Sequence, residues 1–102
     1  MSRPVDGASV HVALCLVRLH LPSVGSLKEK RMVLRSLKDS LRQHHNVAVA
    51  EVEHQDLWQR ARLAVVSVNT DHTHLEATLH GVAGTAGSAR DIELVDSQTE
   101  LL

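Results

Sequence analysis

Aromatic side chains are almost missing from this 102-residue chain, which has no Phe, no Tyr and a single Trp, Trp58. A sheet surface that stacks RNA bases needs two or three exposed aromatics, so that mode of recognition is excluded. An aromatic cage for methylated or quaternary amines fails for the same reason. The core has to be aliphatic, and Trp58 needs an explanation of its own. Cysteine is equally scarce. Cys15 stands alone, which rules out an internal disulfide and points to a reduced, cytoplasmic setting. No apolar run reaches the roughly 18 residues of a membrane span, and no apolar stretch follows a basic start at the N-terminus. Neither membrane insertion nor secretion is expected.

What is present, 43% hydrophobic and 23% charged residues, fits one folded domain. At this size a chain buries roughly two thirds of the surface it exposes when unfolded, and it needs no covalent staples. The net charge of −1 conceals a segregation. Between Ser26 and His45 six basic side chains stand against two acidic ones, a balance of +4; from Asn46 onward three stand against nine, a balance of −6. Such asymmetry marks a candidate surface for an anionic partner.

Residues 1–9, polar and interrupted by Pro4 and Gly7, read as a disordered lead-in to a single domain over 10–102. The β-branched, apolar run from Val10 to Leu21 predicts a strand that Pro22 and Gly25 end. Ser26-Leu27-Lys28-Glu29 fits a capping box and opens a helix to about Gln43. Leu27, Val33, Leu34, Leu37 and Leu41 form its apolar stripe. Val47–Val52 reads as a second strand of ambiguous facing, because Glu51 shares a side with Val47 and Val49. Ala61–Val68 is a third strand, close enough for an antiparallel hairpin. A second helix is expected from about Asp71 to Ala83, ended by Gly84 and Gly87, and a final edge strand over 91–95, with frayed residues after it. The order β-α-β-β-α-β predicts an α+β, ferredoxin-like sandwich: a four-stranded antiparallel sheet with two helices on one face. The other sheet face is then bare, and Leu14 and Leu16 are candidates to lie there as a dimer or partner interface, with Trp58 as an anchor.

Three segments in order, Ser26-Leu27-Lys28-Glu29-Lys30-Arg31, Asn46-Val47-Ala48-Val49-Ala50-Glu51-Val52 and His54-Gln55-Asp56-Leu57-Trp58-Gln59-Arg60, resemble the signature segments of the YlxP-like family. These are small bacterial proteins of unknown function. The resemblance covers about Val12 to Leu79. It implies a ferredoxin-like fold, a tendency to dimerise and a gene placed beside those of translation and ribosome maturation. It supplies no catalytic residues and no cofactor. The chain departs from the family pattern in its lead-in, in its last strand and at His45, where an aromatic is expected.

The first helix carries the most pointed charge pattern. Lys28, Arg31, Arg35, Lys38 and Arg42 fall within an arc of about 80° at 100° per residue, a basic ridge about 21 Å long. Repulsion between neighbours, and cations near the positive end of the helix dipole, make such a ridge unfavourable for stability alone. With Lys30 added, it is the candidate site for phosphates of structured RNA, including ribosomal RNA; DNA is not expected. The alternative is a solvated basic face. His54, Gln55 and Asp56 beside Trp58 could order a turn or, with Glu51 or Glu53, act as acid-base groups or metal ligands. No metal or cofactor is expected: there is no Cys pair, and His72 and His74 point about 200° apart on their helix. Cys15, inside a strand, reads as an inert core thiol. The charge geometry of the first helix, together with what the family resemblance implies about dimerisation and gene placement, points to a homodimeric, non-enzymatic RNA-binding accessory factor of translation or ribosome maturation. The alternative is a dimeric adaptor or regulatory module that takes a protein or small ligand on its open sheet face.

Overall fold

A computed structural model describes residues 2–5, 8–53 and 57–102. The elements run β1 (Ser2–Val5), β2 (Ala8–His20), α1 (Leu27–His44), β3 (Ala48–Glu53), β4 (Arg60–Asn69), α2 (His72–Gly87) and β5 (Glu93–Leu101). All strand pairings are antiparallel, with β2 flanked by β4 and β5 and with β3 outside β4. Apart from β1 this is the predicted ferredoxin-like β-α-β-β-α-β sandwich.

Alternation decides the layers. Ala13, Cys15, Val17 and Leu19 of β2 and Ala61, Leu63 and Val65 of β4 are buried on one face. They meet Leu34, Leu37 and Leu41 of α1 and Leu75, Leu79, Val82 and Ala86 of α2 in a single aliphatic core. Burying an aliphatic side chain of this size contributes about 1.5 to 3 kcal/mol. Ser26 caps α1, its Oγ accepting from Glu29 N at 3.1 Å, while Glu29 Oε2 accepts from Gly25 N at 3.2 Å. The reciprocal arm therefore reaches one residue further back than a capping box requires.

Three boundaries differ from expectation. The lead-in contains a strand: β5 covers β2 only from Ala13 to His20, and Ser2–Val5 pairs with the remaining Ala8–His11. Pro4 is tolerated because it lies at the sheet edge. At the other end, β5 continues to Leu101, through residues whose sequence predicts fraying. Beyond a register shift opposite Arg18/Leu19 both of its faces are largely polar, which removes the period-two signal. The main-chain ladder holds it, and Leu102 N donates to Val12 O at 2.8 Å.

Helix α2 also runs one turn past Ala83, through Gly84 to Gly87. Two of its glycines have opposite roles. A Cβ on Gly81 would lie 2.8 Å from His45 Cε1, and His45 Nε2 is fixed 2.9 Å from Thr85 Oγ1. His45 thus fills the position where an aromatic is expected. Around Gly84 there is nothing within 4 Å of such a Cβ. Gly84→Ala should stabilise by about 0.5 to 1 kcal/mol through helix propensity. Gly81→Ala gains the same propensity but forces the His45 ring aside, an overpacking cost of about 1 to 3 kcal/mol, so it should destabilise. Thermal melts of the two variants should move in opposite directions; a shift of the same sign would remove the close approach of His45.

Candidate functional site

The basic ridge lies beside the buried stripe of α1, about 110° around the helix from it at 100° per residue. Leu34, Leu37 and Leu41 face the core, and Arg42 reaches over the edge strand to donate from Nη2 to Val49 O at 3.1 Å. The C-terminal end of the ridge therefore overhangs β3. The other flank of α1 faces α2 across a cleft of about 520 Å³ that includes Met32, Ser36, Ser40, Thr85 and Ser88.

Within the ridge the five predicted positions are not equivalent. Lys28, Arg31 and Arg35 are exposed, and Lys38 is half-buried. Arg42 is engaged by Val49 O and by Asp39, 3.6 Å away. Among the described residues no carboxylate lies within ion-pairing reach of Lys28, Arg31 or Arg35.

Lys30 does not belong to this surface. Its side chain is only 2% exposed, with Nζ 3.0 Å from Glu51 Oε2 and donating to Leu57 O at 2.6 Å. At 100° per residue Lys30 lies on the same arc as Leu34, Leu37 and Leu41, so its ammonium enters the sandwich. Glu51 answers it from β3, on the side shared with Val47 and Val49, which settles the facing of that strand. The pair ties the start of α1 to the sheet edge and cannot meet a phosphate.

The segment after β3 is held against the same end of α1. Leu21 N donates to Gln59 O at 3.0 Å, and Gln59 Nε2 donates to Pro22 O and Val24 O, each at 3.2 Å. Trp58 sits in this clamp yet is 52% exposed. His54, Gln55 and Asp56, suggested as acid-base or metal groups, lie outside the described residues.

Leu14 and Leu16 lie half-buried on the sheet face away from the helices, as expected. The register sets Val12 beside Val68, Leu14 beside Val66 and Leu16 beside Ala64, and on the far side of β4 sets Ala48 beside Val66 and Ala50 beside Ala64. Val66 and Val68 are exposed. This apolar field ends at a charged row, in which Arg18 meets both carboxylate oxygens of Asp96 and Arg62 Nη1 donates to Glu53 at 2.9 Å. Hydrogen bonding to Arg18 first, and its charge second, holds the Asp96 carboxyl below its ordinary value.

Sequence reasoning missed one juxtaposition: His11 at the head of β2 and His72 at the start of α2 bring their rings to 5.5 Å between centroids. Only tertiary structure pairs these positions. Among the described residues no group of three or more His, Cys, Asp or Glu side chains is arranged to hold a metal. Cys15 is buried, and that burial pushes its thiol above the ordinary value. None of the described helices is long and apolar enough to cross a membrane.

The sequence model of the family described as "Protein of unknown function (DUF503)" matches residues 12–99. The chain belongs to this family. The uncharacterised protein YlxP of Bacillus subtilis (strain 168) is 34% identical over 76 residues, which cover 74% of this chain and 83% of that protein. Among solved structures, SnoaB, a cofactor-independent oxygenase from Streptomyces nogalater, is similar over 90% of each chain, with 18% identity and a TM-score of 0.50. A C-terminal segment of the alpha subunit of aIF2 from Pyrococcus abyssi is 14% identical, covering 91% of this chain and 49% of the other, with a TM-score of 0.48. At such identities the likeness to SnoaB concerns the fold alone. The three segments that resemble the YlxP-like pattern fall inside the matched region. Ser26, Lys30, Asn46, Glu51 and Gln59, all from those segments, serve the fold through the cap, the buried pair and the clamps. Asn46, for example, donates from Nδ2 to Val68 O at 3.1 Å and accepts at its carbonyl from Ser67 Oγ at 2.7 Å.

Proposed function

We propose that this DUF503 protein is a non-enzymatic accessory factor of translation or ribosome maturation that binds structured RNA through the outer flank of α1. The supporting observation is the contrast among its cations. Arg18, Lys30, Arg42 and Arg62 each answer a carboxylate of the same chain. Lys28, Arg31 and Arg35 stand exposed within an arc of about 60°, with no such answer among the described residues. Three such cations spread over about 10 Å of helix suit consecutive phosphates of an RNA backbone. Contacts of this kind fix position and do not read sequence, so the specificity is for shape.

A salt titration of RNA binding tests it. Three phosphate contacts give a slope of log K against log salt of about −2.7 on a duplex, equivalent to a roughly 40-fold loss between 50 and 200 mM salt. A slope near zero would remove the ridge from any RNA role.

A second reading, a dimeric adaptor or regulatory module, is favoured by the open sheet face. Four strands of about ten residues present roughly 600 Å² in projection, close to the roughly 800 Å² per partner of a stable interface. A second copy is the occupant this area suits, because the charged row at one end, Arg18 with Asp96 and Arg62 with Glu53, is paired within the chain, while Glu100 of β5, set beside Leu14, is the charge a partner copy has to accommodate. Leu14→Asp combined with Leu16→Asp should sediment at monomer mass where the parent protein sediments as a dimer. A parent protein that is monomeric at micromolar concentration would dismiss this reading.

A further inference from the structure

Trp58 is held beside the first turn of α1, and its side chain is not part of the core among the described residues. The backbone on either side of it is fixed: Leu57 O accepts from Lys30 Nζ, and Gln59 is bound through its carbonyl to Leu21 N and through its amide to Pro22 O and Val24 O. Lys30 is two residues from Lys28 and adjacent to Arg31, so the anchor of Trp58 is the first turn of the basic helix. Between these clamps the side chains of Leu57 and Trp58 are 42% and 52% exposed, and with Gln59 and Arg60 they line a shallow cleft of about 420 Å³. A Trp is ordinarily among the largest contributors to burial. Here the sole aromatic of the chain is presented to solvent on an immobilised backbone, with Arg60 in the same cleft.

From this placement we infer that Trp58 stacks an unpaired nucleobase of the RNA whose backbone lies along Lys28, Arg31 and Arg35, with Arg60 flanking the stacked base. The inference rests on the RNA reading and names its substrate more closely: structured RNA with an unpaired base at a loop, bulge or end, in preference to continuous duplex. Base–indole stacking is tolerant of sequence because every base offers a π-face, and an arginine beside the ring adds a cation–π contribution. The rarity of aromatics excludes stacking on the sheet but leaves this one position, where a rigid indole and backbone-binding cations occupy the same end of the molecule. An unpaired base can reach it; a base inside a helix cannot.

The chain has one Trp and no Tyr, so its intrinsic fluorescence reports on Trp58 directly. The full chain is titrated with an RNA hairpin carrying an unpaired adenine-containing loop and, separately, with a blunt duplex of equal phosphate number. The hairpin should quench the emission and bind tighter than the duplex, while the duplex binds with the salt dependence of the ridge and leaves the emission unchanged. Trp58→Leu should weaken hairpin binding by roughly 5- to 150-fold and leave duplex binding unaltered, and Trp58→Phe should retain most of the preference. Equal affinities for hairpin and duplex, or hairpin binding without quenching, overturn the stacking site while leaving the ridge in place. Absence of binding to either RNA overturns both. A change in sedimentation mass for Trp58→Leu with hairpin affinity intact assigns Trp58 to a protein contact and overturns the inference as well. The quenching arm uses the unaltered protein, so it decides the matter even if Trp58→Leu folds poorly.

Discussion

Replacing Lys30 with Met should cost about 3 to 5 kcal/mol of folding stability, as much as truncating a core leucine. The side chain of Lys30 is 2% exposed, that of Glu51 20% exposed, and their charged groups are 3.0 Å apart. Methionine keeps the packing of the four-carbon stem but takes the ammonium away from the Glu51 carboxylate in a low-dielectric setting. It also removes the donor to Leu57 O. Against a total stability of about 5 to 15 kcal/mol, such a loss consumes much of the margin. At about 4 to 8 °C per kcal/mol for a domain near this size, the melting midpoint should fall by at least 12 °C. Circular dichroism melts measure it directly. Lys30→Met combined with Glu51→Leu should recover part of the loss, because an apolar pair of matched volume is often as stable as a buried ion pair. A single Lys30→Met variant that melts within 2 °C of the parent would show that the ammonium is solvated. The same physics warns against using Lys30 as a probe of RNA binding, since its variants would lose binding by losing the clamp beneath Trp58.

How much of this is legible in the sequence can be judged at particular residues. The order of elements, the capping Ser26 and the core faces of β2, β4 and both helices follow from hydrophobic period and turn chemistry, which act locally. Lys30 is misplaced when its charge is weighed more heavily than its position. Its spacing to Leu34, Leu37 and Leu41 is that of the apolar stripe, and Glu51 sits at an apolar-period position of the next strand. Two opposite charges at core-facing positions of neighbouring elements are a signal for a buried pair, and each alone reads as an anomaly. The extent of β5 is not legible, because a strand that is polar on both faces has no alternation and is fixed by main-chain pairing alone. Nor is the pairing of β1, whose docking depends on where β5 stops. The His11–His72 contact joins residues 61 positions apart in the chain, and no local pattern encodes it. Of the candidate site, the arc of Lys28, Arg31 and Arg35 is readable because exposure on a helix follows from the position of its apolar stripe. That Trp58 is held beside the first turn of the same helix is not, because it depends on hydrogen bonds from Lys30 and Gln59 across the fold.

Charge reversal at the exposed part of the ridge should have the largest functional effect. In Lys28→Glu, Arg31→Glu and Arg35→Glu combined, three cations become three anions along one flank of α1, a change of −6 in the charge facing the RNA. Losing three phosphate contacts removes the salt-dependent term altogether, and three like charges near the backbone add repulsion. At 50 mM salt affinity should therefore fall by at least 100-fold, and the residual binding should no longer weaken as salt is raised. The fold should survive, because all three side chains are exposed and make no ion pair with a described residue. The carboxylate that replaces Lys28 would also suit the positive end of the α1 dipole, contributing about 0.3 to 1 kcal/mol where the native cation is disfavoured. The variant should thus be at least as stable as the parent while failing to bind, a combination that unfolding cannot imitate. If instead the triple variant binds RNA with the parent slope, the phosphates lie elsewhere. Lys38 and Arg42 are less available for the role, because Arg42 is engaged by Val49 and Asp39 and Lys38 is half-buried. Arg60, exposed in the cleft of Trp58 and untouched by these substitutions, would then be the next cation to reverse.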